Sequence, residues 1–250
     1  MNWGRFILFI IIGFAAQIID GTLGMAYGVS CRTFLKTVAG LPSALASAVV
    51  HVAEVPTTLA SGLSHMKLKN VDKSLFLHLA IPGVIGGVAG AWFLSSAGDA
   101  LEPFIDAYLI IMGFVILRKA FQKRHKERHI GKGIYPLGLA GGFLDATGGW
   151  GPVVTSTMLA VGHDVKKTIG TVNTAEFLVT LAETTTFVVL IRDFTSYWQT
   201  ILGLIIGGVC AAPLAAWICK KIPVRPLLAI VGILIIALNL YSLLHYLAIF

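Results

Sequence analysis

His51 and Glu54 stand three residues apart inside "VVHVAEVPTTLASG", a stretch that is otherwise apolar or small. Further along, "TVNTAEFLVTLAET" (171–184) repeats the pattern with Asn173 and Glu176. Spacings of three and four place Ser47, His51, Glu54 and Thr58 on one face of a helix, and Asn173, Glu176, Thr180 and Glu183 on one face of another. A carboxylate in apolar surroundings costs free energy unless it is paired, protonated or set beside a watery cavity, so such residues mark ion or proton pathways, or brace irregular backbone. Both readings fit Glu54 and Glu176. His51 is matched by the non-titrating Asn173 and reads as a hydrogen-bonding group.

A second constellation involves backbone. Asp20 begins "DGTLGMAYG" and Asp145 begins "DATGGWGP". Asp and Thr favour helix starts, and glycine weakens helices and lets a ligand approach the main chain. The half-helix that follows each break opens with free N–H groups and a positive dipole end, which is a ready anion site. Thr22 and Thr147 add hydroxyl donors beside Gly24, Gly149 and Gly151. Asp20 and Asp145 suit two roles, as caps of the following half-helix or as groups that meet a ligand or proton.

The elements that position these residues are membrane spans. Of 250 residues, 56% are hydrophobic and 12% charged, with a mean hydropathy of +0.85; a soluble domain carries about 25% charged residues. The net charge of +7 lies between apolar runs, as topology signals do, and does not point to nucleic acid. Cys31, Cys210 and Cys219 have no metal-ligand spacing and read as small packing residues, so no metal or cofactor is expected. Neither an HExxH pair, a GxSxG elbow nor a nucleotide loop is present, and no enzyme is expected.

The order of landmarks repeats. Gly13, Ala15, Asp20, Thr22 and Gly24 align with Gly138, Ala140, Asp145, Thr147 and Gly149; Val50, Ala53, Glu54 and Thr58 align with Val172, Ala175, Glu176 and Thr180; "IGGVAGA" (85–91) aligns with "IGGVCAA" (206–212). The chain therefore divides into repeat 1 (1–120: hairpin 4–39, helices 41–64, 74–96 and 101–120), a basic cytoplasmic linker (121–132) and repeat 2 (133–250: hairpin 133–162, helices 164–190, 197–219 and 226–247). Charge decides the topology. If each broken element enters and returns on one side, fifteen of the nineteen Lys and Arg residues share the linker's side, leaving Arg5, Arg32, Lys36 and Arg192 opposite. The expected fold is an all-α polytopic membrane protein of eight hydrophobic segments in two inverted repeats, each a re-entrant hairpin plus three transmembrane helices, with both termini outside. Inverted repeats with broken helices are an architecture of secondary transporters. Arg32 and Lys36, after the first hairpin tip, read as snorkelling to the outer interface rather than guiding anions inward, and His65 and His78, near a span end, as interfacial. Glycine-rich spans such as "GVIGGVAGA" suit packing within one protomer or between two, so a homodimer is one arrangement they allow.

"DGTLGMAYGVS", "ASAVVHVAEVPTTLASGLSH", "KNVDKSLFLHLAIPGVIGG", "LDATGGWGPVVTS" and "TVNTAEFLVTLAE" together resemble the sulfite exporter TauE/SafE family of small bacterial anion transporters, over nearly the whole chain. The resemblance implies a proton-coupled secondary transporter in the bacterial plasma membrane, exporting small sulfur-containing anions such as sulfite or organosulfonates. The alternatives are an anion channel or an uptake transporter for sulfate or thiosulfate. It also implies a ligand-facing surface of Asp20, Thr22, Gly24, Met25, Asp145, Thr147, Gly149, Trp150 and Gly151, with His51, Glu54, Asn173 and Glu176 on the facing helices. Glu54 and Glu176 are its proton-coupling candidates.

Overall fold

The computed structural model describes residues 3–121, 131–161, 163–191, 194–219 and 224–247. The expected linker, apart from its ends, and Arg192, Lys220 and Lys221 of the charge count lie outside these residues. Among the described residues the fold is helical: α1 (Trp3–Leu23), α2 (Tyr27–Thr37), α3 (Ser43–Lys67), α4 (Lys73–Ala97), α5 (Glu102–Phe121), α6 (Ile134–Asp145), α7 (Trp150–Ala160), α8 (Val165–Leu190), α9 (Trp198–Ile218) and α10 (Val224–Tyr246), with short 3₁₀ turns between some of them. Among the described residues, four helices, α1, α3, α4 and α9, are long and apolar enough to cross a membrane. Large apolar side chains such as Ile7, Ile11, Ile81, Ile85, Trp92, Leu214 and Trp217 cover their outer faces, the surface that hydrocarbon solvates without cost.

Packing pairs the first part of the chain with the second. α1 lies along α9 and α6 along α4; α3 rests on α9 and α8 on α4; α3 meets α8 and α5 meets α10. The closest approaches run through glycine. A methyl group added at Gly207 would strike the Ile10 carbonyl of α1, and one added at Gly86 would strike the Leu139 carbonyl of α6. Lipid tails are as apolar as leucine, so close backbone packing holds such helices together where burial of apolar surface cannot.

Both glycine-rich elements break, but not at the same place relative to aspartate. α6 ends at Asp145, whereas α1 continues one turn past Asp20 to Leu23. The first left-handed residue is Gly148 (φ 89°) in the second element and Gly24 (φ 70°) in the first. Leu23 aligns with Gly148, and a leucine resists positive φ, so the first helix runs on until glycine permits the turn. Ala26, at φ 99°, completes that turn in a conformation that costs a non-glycine residue about 1–3 kcal/mol.

Candidate functional site

The two breaks meet. A methyl at Gly28 would touch the Cα of Gly148 and the Glu54 carboxylate, one at Gly148 would strike the Val29 nitrogen, and one at Gly151 would strike Met25. The Thr155 hydroxyl donates to the Gly24 carbonyl across the same seam. The N-terminal ends of α2 and α7 therefore abut, and each is answered by its own aspartate. The Tyr27 N–H donates to Asp20 Oδ1 at 3.4 Å, and the Trp150 N–H donates to Asp145 Oδ1 at 3.0 Å. Each carboxylate sits where an external anion would otherwise meet the first amides of the half-helix.

Around this seam α3 and α8 present their polar faces. Glu54 faces Gly28, and Glu176 lies in electrostatic range of Asp20, Glu54, Asp145 and Glu183. Asp20, Glu54, Asp145, Glu176 and Glu183 are all buried. Asp20 Oδ2 and Glu176 Oε2 have no hydrogen-bond partner among the described residues. Five buried carboxyl groups gathered in this way repel one another when ionised.

Other expected ligand groups are already engaged. The Thr22 hydroxyl donates to the Ala215 carbonyl at 3.5 Å and the Thr147 hydroxyl to the Leu144 carbonyl at 2.8 Å. Gly24 and Gly149 lie at the breaks themselves, where their N–H groups return to the Asp20 and Leu144 carbonyls. Trp150 is fully buried and donates its indole N–H to the Val172 carbonyl at 3.2 Å, anchoring α7 to α8. Met25 packs in the apolar core. Asn173 donates to the Ile169 carbonyl at 3.0 Å and accepts from the Ser61 hydroxyl at 2.9 Å.

The structure corrects three positions and adds one. Arg32 does not snorkel: it is buried and its Nε donates to the Ser47 hydroxyl at 3.0 Å, because the short helix α2 turns it inward against α3. Nor does Lys36, whose ammonium turns into the protein to pair with the buried Asp106 of α5 at 2.7 Å. His65 is not interfacial: it is buried and reaches the Gly21 carbonyl of α1 at 3.0 Å. The Asn70 amide faces its other ring nitrogen at 3.3 Å, so His65 accepts from Asn70 and donates to Gly21 as a neutral imidazole. His78 is exposed, against the Tyr135 ring. The addition is Glu183, whose Oε2 lies 2.9 Å from His51 Nε2. Its place on the polar face of α8 was visible in the spacing; its partner was not, because the pairing joins distant parts of the chain. His51, Asp145 and Glu183 converge to within 4.8 Å. The nitrogen–oxygen contact is at ion-pair distance, with Nε2 in hydrogen-bond geometry with the Asp145 carbonyl rather than with Glu183.

Residues 9–242 match the sulfite exporter TauE/SafE family. The chain is 42% identical over 251 residues to the "Probable membrane transporter protein YtnM" of Bacillus subtilis (strain 168), covering 96% of this chain and 83% of that protein. No solved structure matches. A match over nearly the whole length, on a helical framework with apolar outer faces and a polar centre, makes this chain a multi-pass membrane transporter of the sulfite exporter TauE/SafE family.

Proposed function

We propose that the protein is a proton-coupled secondary transporter that exports small sulfur-containing anions, sulfite or organosulfonates, across the bacterial plasma membrane. The observation that carries this reading is the meeting of the α2 and α7 N-termini at a seam ringed by buried carboxyls. The two halves act as inverted repeats. Packing in exchanged pairs, α1 on α9 with α6 on α4, supports a twofold relation between them.

Transport follows from competition for the same amides. With Asp20 and Asp145 ionised, each half-helix end already holds an anion, its own carboxylate. Protons on Glu54, Glu176 and the aspartates lower the negative charge at the seam, and a sulfur oxyanion can then take the amides; loss of those protons expels it. The closure of the seam favours a transporter over a channel, since a conducting pore needs a continuous wet path and Asp20, Gly21, Glu54 and Trp150 are all buried.

The test is purified protein in liposomes, assayed for flux of sulfite, sulfoacetate, thiosulfate and sulfate across an imposed pH gradient. Saturable sulfite or sulfonate flux that follows the gradient is expected. Glu54→Gln and Glu176→Gln are each expected to reduce gradient-driven flux tenfold or more while leaving some anion exchange. Unchanged pH-driven flux in both variants would end the coupling role of these glutamates, and single-channel currents would replace the transporter with a channel.

A further inference from the structure

His51 is surrounded by acceptors. Its Nδ1 lies 2.8 Å from the Ser47 carbonyl. Its Nε2 lies 3.1 Å from the Asp145 carbonyl and 2.9 Å from Glu183 Oε2. A carbonyl cannot donate, so Nδ1 carries a hydrogen. Nε2 is in hydrogen-bond geometry with the Asp145 carbonyl, which also cannot donate, so Nε2 carries a hydrogen as well, and the ring is an imidazolium with the Glu183 carboxylate as its counter-ion at 2.9 Å.

We propose that His51 and Glu183 form a dedicated proton-binding site that holds the second hairpin tip closed through the Asp145 carbonyl, and that the first tip has no such site. When the proton leaves for water, the Nε2–H bond breaks and its electron pair stays on Nε2. Nε2 then presents a lone pair to a carbonyl and a carboxylate at hydrogen-bond distance. The ring turns away, and the end of α6 loses its brace.

The first half supplies the contrast. By the alignment that pairs Glu54 with Glu176, Asn173 corresponds to His51, Ile169 to Ser47 and Ser61 to Glu183. The geometry corresponds as well: Asn173 donates to the Ile169 carbonyl four residues back, as His51 does to Ser47, and Ser61 meets Asn173 where Glu183 meets His51. One pair needs a proton and the other cannot lose one near neutral pH. The first tip is braced instead by the neutral His65 on the Gly21 carbonyl.

The groups facing the pair are few. On α3, Glu54 lies one turn beyond His51; from α2, Arg32 reaches it through Ser47. Asp145 presents its carboxylate at the end of α6, with Tyr108 of α5 in electrostatic range of it. From α8, Phe187 covers the ring at 5.3 Å and Glu176 lies in range of Glu183; from α4, Gly87 faces Glu183.

The experiment is hydrogen–deuterium exchange of the full chain in lipid nanodiscs at several pH values, corrected for the intrinsic pH dependence of amide exchange. Peptides spanning 142–152 and 18–28 are followed. In the wild type, protection of 142–152 should fall with rising pH, by up to about tenfold per pH unit for one proton, while 18–28 stays level. Glu183→Gln removes the counter-ion, and its amide donates to an Nε2 that then has no hydrogen for the Asp145 carbonyl, so 142–152 should be unprotected and level while 18–28 stays as in the wild type. The double substitution His51→Asn with Glu183→Ser copies the chain's own Asn173–Ser61 pair and should do the same. A pH response that persists in both variants, a level wild type, or a second tip that stays protected at every pH in both variants would overturn the proposal. This exchange measurement needs no substrate, although the role of the site in coupling rests on the transport reading above. Absence of sulfite flux with the exchange response intact counts against the anion and supports the proton site; flux whose pH dependence survives Glu183→Gln overturns the coupling role.

Discussion

At the scale of single residues, burial decides more than residue type. The shared face of α3 was legible in the sequence, because Ser47, His51, Glu54 and Thr58 recur at helical spacing, and all four are buried. His65 was not. Two residues before the end of α3 and eight before the start of α4, it has the position of an interfacial group, and only the end of α1 supplies the carbonyl that accepts its N–H. Nothing local to "SGLSHMK" announces that carbonyl. His65→Leu leaves the Gly21 carbonyl without its donor and should cost about 1–3 kcal/mol, whereas His65→Gln, which keeps an N–H of similar reach, should cost less. Thermal unfolding of the detergent-solubilised variants, followed by tryptophan fluorescence, ranks them. A leucine variant as stable as the wild type would show that this bond does not hold α1.

At the scale of elements, the glycines of the two breaks do different work from the glycines of the loops. Gly40 and Gly148 both have positive φ, 70° and 89°. A methyl at Gly40 meets open space, while one at Gly148 strikes the Val29 nitrogen and the Gly28 carbonyl carbon of the opposite tip. Gly40→Ala should therefore cost only the backbone strain of an alanine, about 1–2 kcal/mol. Gly148→Ala adds a collision between two backbones, neither of which has a flexible end to move, so it should separate the tips and abolish anion flux. Comparing protein yield, thermal midpoint and flux in the two variants checks this. Equal effects would mean that the tips are not packed as tightly as these contacts require. That each element breaks was legible from "DGTLGMAYG" and "DATGGWGP"; the one-turn difference between the breaks depends on Leu23 standing where the second element has Gly148.

At the scale of the whole molecule, helix lengths bear on how the chain sits in the bilayer. α6 and α7, with 12 and 11 residues, are about 18 and 16 Å long, roughly half a hydrocarbon core of about 30 Å. That suits a hairpin that enters, turns at mid-depth and returns. α1 is longer, with 21 residues, yet its inner part from Ala16 onward is mostly buried, and its outer part near Arg5 is exposed. Asp20 is fifteen residues from Arg5, about 22 Å. A tilted α1 can therefore keep Arg5 at the outer headgroups while its end reaches the seam, and length alone does not require it to cross. Charge favours the re-entrant arrangement, with fifteen of nineteen Lys and Arg residues on the linker's side. Single cysteines placed at Asn2 and Lys126, in a background lacking Cys31, Cys210 and Cys219, separate the two topologies by labelling of intact cells with a membrane-impermeant maleimide. Labelling at position 2, with position 126 reached only after permeabilisation, is expected. Protection at both positions would place the N-terminus beside the linker, give each half four crossings, and make the repeats parallel rather than inverted.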